Sequence, residues 1–290
     1  MSRPLLLLAF GILALAAGFP VAARKKADTA ARAYIETSYL VAPKQVGDFE
    51  LEGSTFNPAQ KYAGAGFRYA LRDHQEIRFD VYVYPAGLMA QATAVEKGMD
   101  AFRQDLQLAS GQGTYTQLRE LQQSPFPLPS PETGDPPPAN DIDAAVLKAK
   151  AEAGQLTGQK LQLSMRLPPH DWLLYSNGYL FYKQLYYFKL RASAAQERIS
   201  SDEFNALADQ AARILIPALQ VANVGGCGGG TLHLSTQDSP EQSAVQLVRQ
   251  IALLLGHNCH ASAEEAGIAD RRATAEVVEI AFAADEWKSR

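Results

Sequence analysis

Between residues 66 and 84, apolar and polar side chains change places at nearly every step, which leaves the chain little freedom of architecture. In 66–72, Phe67, Tyr69 and Leu71 alternate with Arg68 and Arg72; in 76–84, Ile77, Phe79, Val81 and Val83 alternate with Arg78, Asp80, Tyr82 and Tyr84. A period of two buries one face of a strand and wets the other, the mark of an antiparallel sheet. The short polar link Asp73-His74-Gln75 suits a hairpin. The same alternation begins at 48–54 and returns at 159–167, where Leu161, Leu163, Met165 and Leu167 face away from Gln162, Ser164 and Arg166. A weaker strand is expected at 114–121. Two more are expected at 171–175 and 179–192, joined by Ser176-Asn177-Gly178, because Asn-Gly tolerates the positive φ of a tight hairpin.

Helical spacing appears between these strands. Ala92, Val95, Met99, Phe102 and Leu106 recur at intervals of three and four, giving one stripe that can lie on a sheet. Ser200-Ser201-Asp202-Glu203 reads as a capping box ahead of the stripe Phe204, Leu207, Ala208, Ala211, Ile214 and Leu215. Residues 124–140 hold seven prolines, which remove backbone donors and predict an exposed loop; 141–153 is expected to be a short helix. After the glycine run 225–230 come a short strand around Leu232 and Leu234, a helix opened by Ser239 and Pro240 and stopped by Gly256, and a last strand at Val278–Phe282.

The expected fold is therefore α+β: an antiparallel sheet with helices packed on one face, in a main domain over 47–220, plus a small C-terminal β-α-β subdomain over 225–290. Residues 24–46 are expected to be a polar lead-in with one short helix at Asp28–Tyr39. The order of elements in Gly66–Leu71, Ile77–Tyr84 and the passage from Phe188–Leu190 to Phe204–Leu215 resembles the PsbP-like fold. That fold includes extrinsic photosystem proteins and the DcrB group of bacterial envelope proteins. The resemblance covers at most residues 47–220, implies an α+β fold, and carries no functional residue across.

The first residues set the expected compartment. Arg3 precedes an unbroken apolar run from Leu5 to Phe19; Pro20 then breaks it, and Val21 and Ala23 put small residues where a signal peptidase reads. A signal peptide over 1–23 and a periplasmic or secreted protein follow. Arg24, Lys25 and Lys26 resist translocation, so a retained anchor is the alternative. The run falls short of the roughly 20 residues a spanning helix needs, so no membrane span is expected in the mature chain. Cleavage would remove Arg3 and no acid, taking the net charge from −4 to −5, and nothing in that mild acidity points to nucleic acid. In an oxidising compartment the two cysteines, Cys227 and Cys259, are expected to form a disulfide.

Candidate sites are few. His233, His257 and His260 beside Cys259 are the one cluster of soft ligands, suited to zinc or copper only if Cys259 is reduced. The glycine run lacks the Lys-Ser/Thr of a phosphate loop and reads as a flexible approach to the disulfide. Trp172–Phe188 holds eight aromatics; one face of them, with Tyr82, Tyr84, Tyr179 and Tyr187, is a candidate binding surface for an envelope protein, a glycan or a lipid. G-x-S-x-G and H-E-x-x-H are absent, and no residue is singled out as catalytic. The reading is a non-enzymatic binding or inhibitor-type module without a cofactor. The alternatives are a metal-binding protein using the three histidines and a hydrolase whose triad is assembled from distant positions.

Overall fold

The computed structural model describes residues 32–129 and 134–287. The chain runs β1 (Thr37–Pro43), β2 (Gln45–Val46), β3 (Phe49–Phe56), a 3₁₀ turn (Pro58–Ala63), β4 (Ala65–Leu71), β5 (Arg78–Pro85), α1 (Gln91–Gly111), β6 (Thr116–Pro127), α2 (Asp141–Gly154), β7 (Thr157–Leu167), β8 (Trp172–Lys183), β9 (Tyr186–Ala195), α3 (Ser201–Ala218), β10 (Gln220–Val224), a 3₁₀ turn (Gly226–Gly228), α4 (Pro240–Gly256), β11 (Cys259–His260), α5 (Ile268–Thr274) and β12 (Ala275–Ala281). The expected signal peptide over 1–23 and its expected cleavage junction lie outside the described residues.

Eight strands make one antiparallel sheet in the order β2-β3-β4-β5-β9-β8-β7-β6. The α+β class and the sheet are as the alternation dictates. The helices, however, do not share one face. Leu180 and Tyr182 of β8 pack with Ala94, Met99 and Phe102 of α1, whereas Tyr179 and Phe181 between them pack with Phe204, Ala208 and Leu215 of α3. Successive residues of a strand point to opposite faces, so α1 and α3 lie on opposite sides. The physical reason is legible in β8, buried without a break from Ser176 to Tyr182: a strand covered on both faces reads as a continuous apolar run rather than an alternation.

The expected Asn-Gly hairpin is absent, and β8 runs straight through it. Gly178 is where the Phe102 ring rests, leaving no space for a Cβ. Asn177, buried on the other face, donates to Asn205 Oδ1 of α3 at 2.8 Å. The reversal comes later, at Gln184 and Leu185, whose φ values of 53° and 68° are those of a two-residue hairpin turn between the paired Lys183 and Tyr186. Side-chain packing and polar anchoring hold that turn: Leu185 is fully buried and Gln184 Oε1 accepts from Val221 N at 2.7 Å.

A second sheet has the order β11-β10-β1-β12. It corrects two expectations at once. Residues 37–43 of the supposed lead-in form a central strand where part of the helix Asp28–Tyr39 was expected, and residues 225–290 are no separate subdomain, because β12 pairs with β1. Leu40, Val221 and Ile280 of this sheet join Phe49, Phe67 and Phe79 of the large sheet and Leu215 of α3 in one core. Its outer face, Val41 and Ala222, is covered by Ala266 and Ile268. Leu232 and Leu234 stay exposed in an irregular stretch, since the free edge of β10 is taken by β11.

The disulfide forms: Cys227 and Cys259 are joined at 2.10 Å, with Cα atoms 5.7 Å apart. It closes the excursion that carries α4, whose residues are nowhere fully buried and which packs on α2. The capping box of α4 is complete, Ser239 with Gln242; that of α3 keeps only the half in which Ser200 accepts from Glu203 N. Pro125 and Pro127 belong to β6, the sheet's edge, where a missing donor breaks no ladder on the open side. No helix among the described residues is long and apolar enough to cross a membrane.

Candidate functional site

On the α1 side of the large sheet, the helix covers only part of the surface. It lies over β7 and β8, with Phe102 above Gly178, and it ends at Gly111. Past that point, side chains of β5, β9, β8 and β7 remain open. The ladder sets one cross-strand row: Arg68 of β4 opposite Asp80 of β5, Asp80 opposite Arg191 of β9, and Arg191 opposite Gly178 of β8. Three arginine-or-acid positions thus fall side by side on one face.

Within that row the charges are unevenly satisfied. Asp80 accepts from Arg68 Nε at 3.0 Å and from Arg78 Nε at 2.5 Å, one arginine on each oxygen. Arg191 has no carboxylate partner among the described residues. Its Nε donates to Ser176 Oγ at 3.1 Å, Nη1 to Tyr115 OH at 2.5 Å, and Nη2 reaches Met165 Sδ at 3.1 Å. The guanidinium also lies 4.7 Å from the Tyr115 ring centroid. Beside it is a cavity of about 430 Å³ whose walls include Arg191, Arg78, Tyr82, Tyr115 and Trp172. A smaller one of about 350 Å³ shares Arg78, Asp80 and Tyr82 and extends over β3 and β4.

The surroundings tune these groups. Burial, with Asp80 second, raises the Tyr82 phenol above its ordinary value. Glu76 at the rim is held below the carboxylate range first by its own backbone N–H and then by His74 Nδ1, 3.0 Å away. Lys189, in the next row, sits 5.0 Å from Phe102 and 5.5 Å from both Tyr82 and Tyr84, and burial lowers its ammonium. Trp172 keeps 46% of its surface exposed and stacks on His170 at 4.8 Å. Guanidinium donors next to aromatic and aliphatic walls can orient and hold a small molecule. No histidine ring among the described residues hydrogen-bonds a serine hydroxyl, and the His74 ring meets Glu76.

The four tyrosines singled out from sequence do not form one exposed face. Tyr82 lines the cavity. The rings of Tyr84 and Tyr187 meet at 5.2 Å, tilted to each other, beside α1, and Tyr187 is buried. Tyr179 points to the opposite face, fully buried, and donates to Asp209 of α3 at 2.5 Å. The alternation that defines two faces puts residue 179 out of phase with 182 and 187 once the hairpin turn is moved to 184–185.

The three histidines do not meet either. His257 is buried against Tyr34, its Nδ1 3.4 Å from the phenol, and burial lowers its pKa. His260 pairs with Asn258 at 3.1 Å, and His233 is exposed with its backbone bonded to Gln250. No three His, Cys, Asp or Glu side chains among the described residues gather as a metal-ligand set, and both sulfurs are used in the disulfide. The glycine run serves close approach: Gly226 N donates to Ala33 O at 2.8 Å, and a Cβ on Gly225 would collide with the backbone of Tyr34 and Ile35.

Arg191 and Tyr115 went unnoticed in the sequence. Arg191 is one of several polar residues alternating in a strand, and only the ladder reveals that Asp80 opposite it is already taken. No protein-family model matches the chain, and no curated protein is similar to it in sequence.

Proposed function

We propose that this chain is an exported binding protein that acts outside the cytoplasm and holds a small molecule in the cavity beside Arg191. The observation that carries the reading is a guanidinium without a carboxylate partner, set in a cavity walled by Tyr82, Tyr115 and Trp172. Its volume falls in the range of about 300–1,000 Å³ common for small-ligand sites. A disulfide across the α4 excursion supports an oxidising compartment. The order of elements resembling the PsbP-like envelope proteins points the same way. A small molecule suits the surface better than a protein or glycan, because Tyr179 and Tyr187 are buried and Tyr84 is half-buried beside α1.

Trp172 provides the test, since the described chain's other tryptophan, Trp287, is buried. Small molecules extracted from cell envelope and culture medium are added to the purified chain, and bound species are identified by native mass spectrometry. One species should bind stoichiometrically, shift the Trp172 emission, and be lost in Tyr82→Ala. Binding that survives Tyr82→Ala and Trp172→Ala together would place the ligand elsewhere. Recovery of the protein from the cytosol with free thiols would remove the export reading.

A further inference from the structure

We infer that the cavity takes an aromatic carboxylic acid, its carboxylate on Arg191 and Tyr115 and its ring against Trp172. The assignment rests on the binding reading above and names the chemistry of the ligand.

Counting donors is the first step. A guanidinium has five N–H groups. In Arg191 one goes to Ser176 Oγ and one to Tyr115 OH, and a third makes a weak contact with Met165 Sδ. One N–H remains on each terminal nitrogen, free to donate to a carboxylate. Arg191 can only donate, so Tyr115 OH accepts from it, and the phenol proton stays available to an anion. Ser176 likewise accepts from Arg191, and its Oγ lies 3.0 Å from Ser193 Oγ, a hydroxyl pair on the cavity wall in which either oxygen can donate. Among the described residues no carboxylate hydrogen-bonds Arg191, although Glu76 and Glu197 also line the cavity.

The pairing of the charges beside Arg191 agrees with the donor count. Arg68 and Arg78 occupy both oxygens of Asp80, so the acid opposite Arg191 in the ladder is neutralised by others. The cavity walls carry Arg78, Arg191 and Arg198 against Glu76, Asp80 and Glu197, so the pull on an anion is the local one of the Arg191 guanidinium and not a net charge. Glu76 is engaged by its own backbone and by His74. A partly buried cation of this kind is stabilised by an incoming anion, and a planar guanidinium favours a carboxylate.

Position along the strands supplies the ring. Although Arg191 is opposite Gly178, its side chain reaches Ser176 and then Met165, so the guanidinium lies near the Met165–Leu174 pair. The next pair on that face is Leu167–Trp172, two residues on, or about 7 Å away at the usual rise. That is the distance from a carboxylate to the far part of an aryl ring. Leu167, Leu174, Ala195 and the exposed Trp172 face supply the apolar bed.

Three probes of one skeleton test this: naphthalene-2-carboxylate, its primary amide, and 2-naphthylmethylamine, each titrated calorimetrically into the full mature chain. The acid should bind at least about tenfold tighter than the amide, with the amine weaker still. Arg191→Gln should abolish the preference, and Trp172→Ala, at an exposed position, should weaken the acid about fivefold or more. Should Arg191→Gln fail to fold, the acid-to-amide ratio in the unaltered chain and the Trp172→Ala loss still decide. Equal binding of acid and amide, or preference for the amine, overturns the carboxylate while the cavity stands as a binding site. Silence from all three probes overturns the carboxylate and counts against the cavity as well.

Discussion

Phe102 of α1 lies against the bare backbone of Gly178 in β8, and this contact seats the helix on the sheet. Gly178→Ala should lift α1 and cost about 1–3 kcal/mol, the range for overpacking a filled core. Urea unfolding measures it. Adding Phe102→Leu should recover part of the loss, and an unchanged midpoint in the single variant would show that α1 is not held at this point.

Asp209 of α3 accepts from Lys160 Nζ at 2.6 Å and from Tyr179 OH at 2.5 Å, in a network with Asn177 and Asn205. Asp209→Ala leaves both donors without their acceptor and should destabilise by about 1–3 kcal/mol. Tyr179→Phe should cost less, and the double variant less than the sum, because the two share one interaction. Strict additivity would mean that the contact contributes nothing.

Lys183 donates to Leu219 O at 2.6 Å, with its ammonium 4.5 Å from the Phe188 ring. Burial depresses its pKa from 10.5 to about 7. Between those values the unfolded chain binds a proton that the folded chain does not, so this group's contribution to stability rises with pH across the window and is lost as pH falls through about 7. Lys183→Met should therefore gain most over the native protein near pH 6 and least near pH 9. Parallel stability curves for the two proteins would refute the buried-amine account.

Reducing the Cys227–Cys259 bridge, which spans a sequence separation of 32, should lower stability by about 3–4 kcal/mol on the chain-entropy estimate. Hydrogen exchange should quicken first in 228–258, where α4 buries no residue fully, while amides of β8 and β9 stay protected. Uniform acceleration throughout the chain would instead make the bridge part of the global core.

The strands β3, β4, β5 and β7 and the helices α1 and α3 were readable because each repeats one period, and α4 because Ser239, Pro240 and Gly256 mark its two ends. What escaped was pairing. Asn177-Gly178 has the composition of a hairpin, but its two residues serve opposite layers, Asn177 bonding α3 and Gly178 receiving α1. Strand β1 is seven residues long and sits far in sequence from β10 and β12, so no local pattern announces its partners. Of the site, the aromatic composition was visible and its geometry was not. Tyr82 and Trp172 reach the cavity, Tyr179 goes to the other face, and Arg191 matters only because Arg68 and Arg78 have already claimed Asp80.

Thr37 pairs with Ala281, so a strand near the start of the described residues waits for one near their end. Whatever delivers the polypeptide amino end first, the small sheet can close only after nearly all of the chain has arrived. A product stalled before residue 275 would leave one edge of β1 unpaired, the other being held by β10, and that edge is ready to pair with other chains.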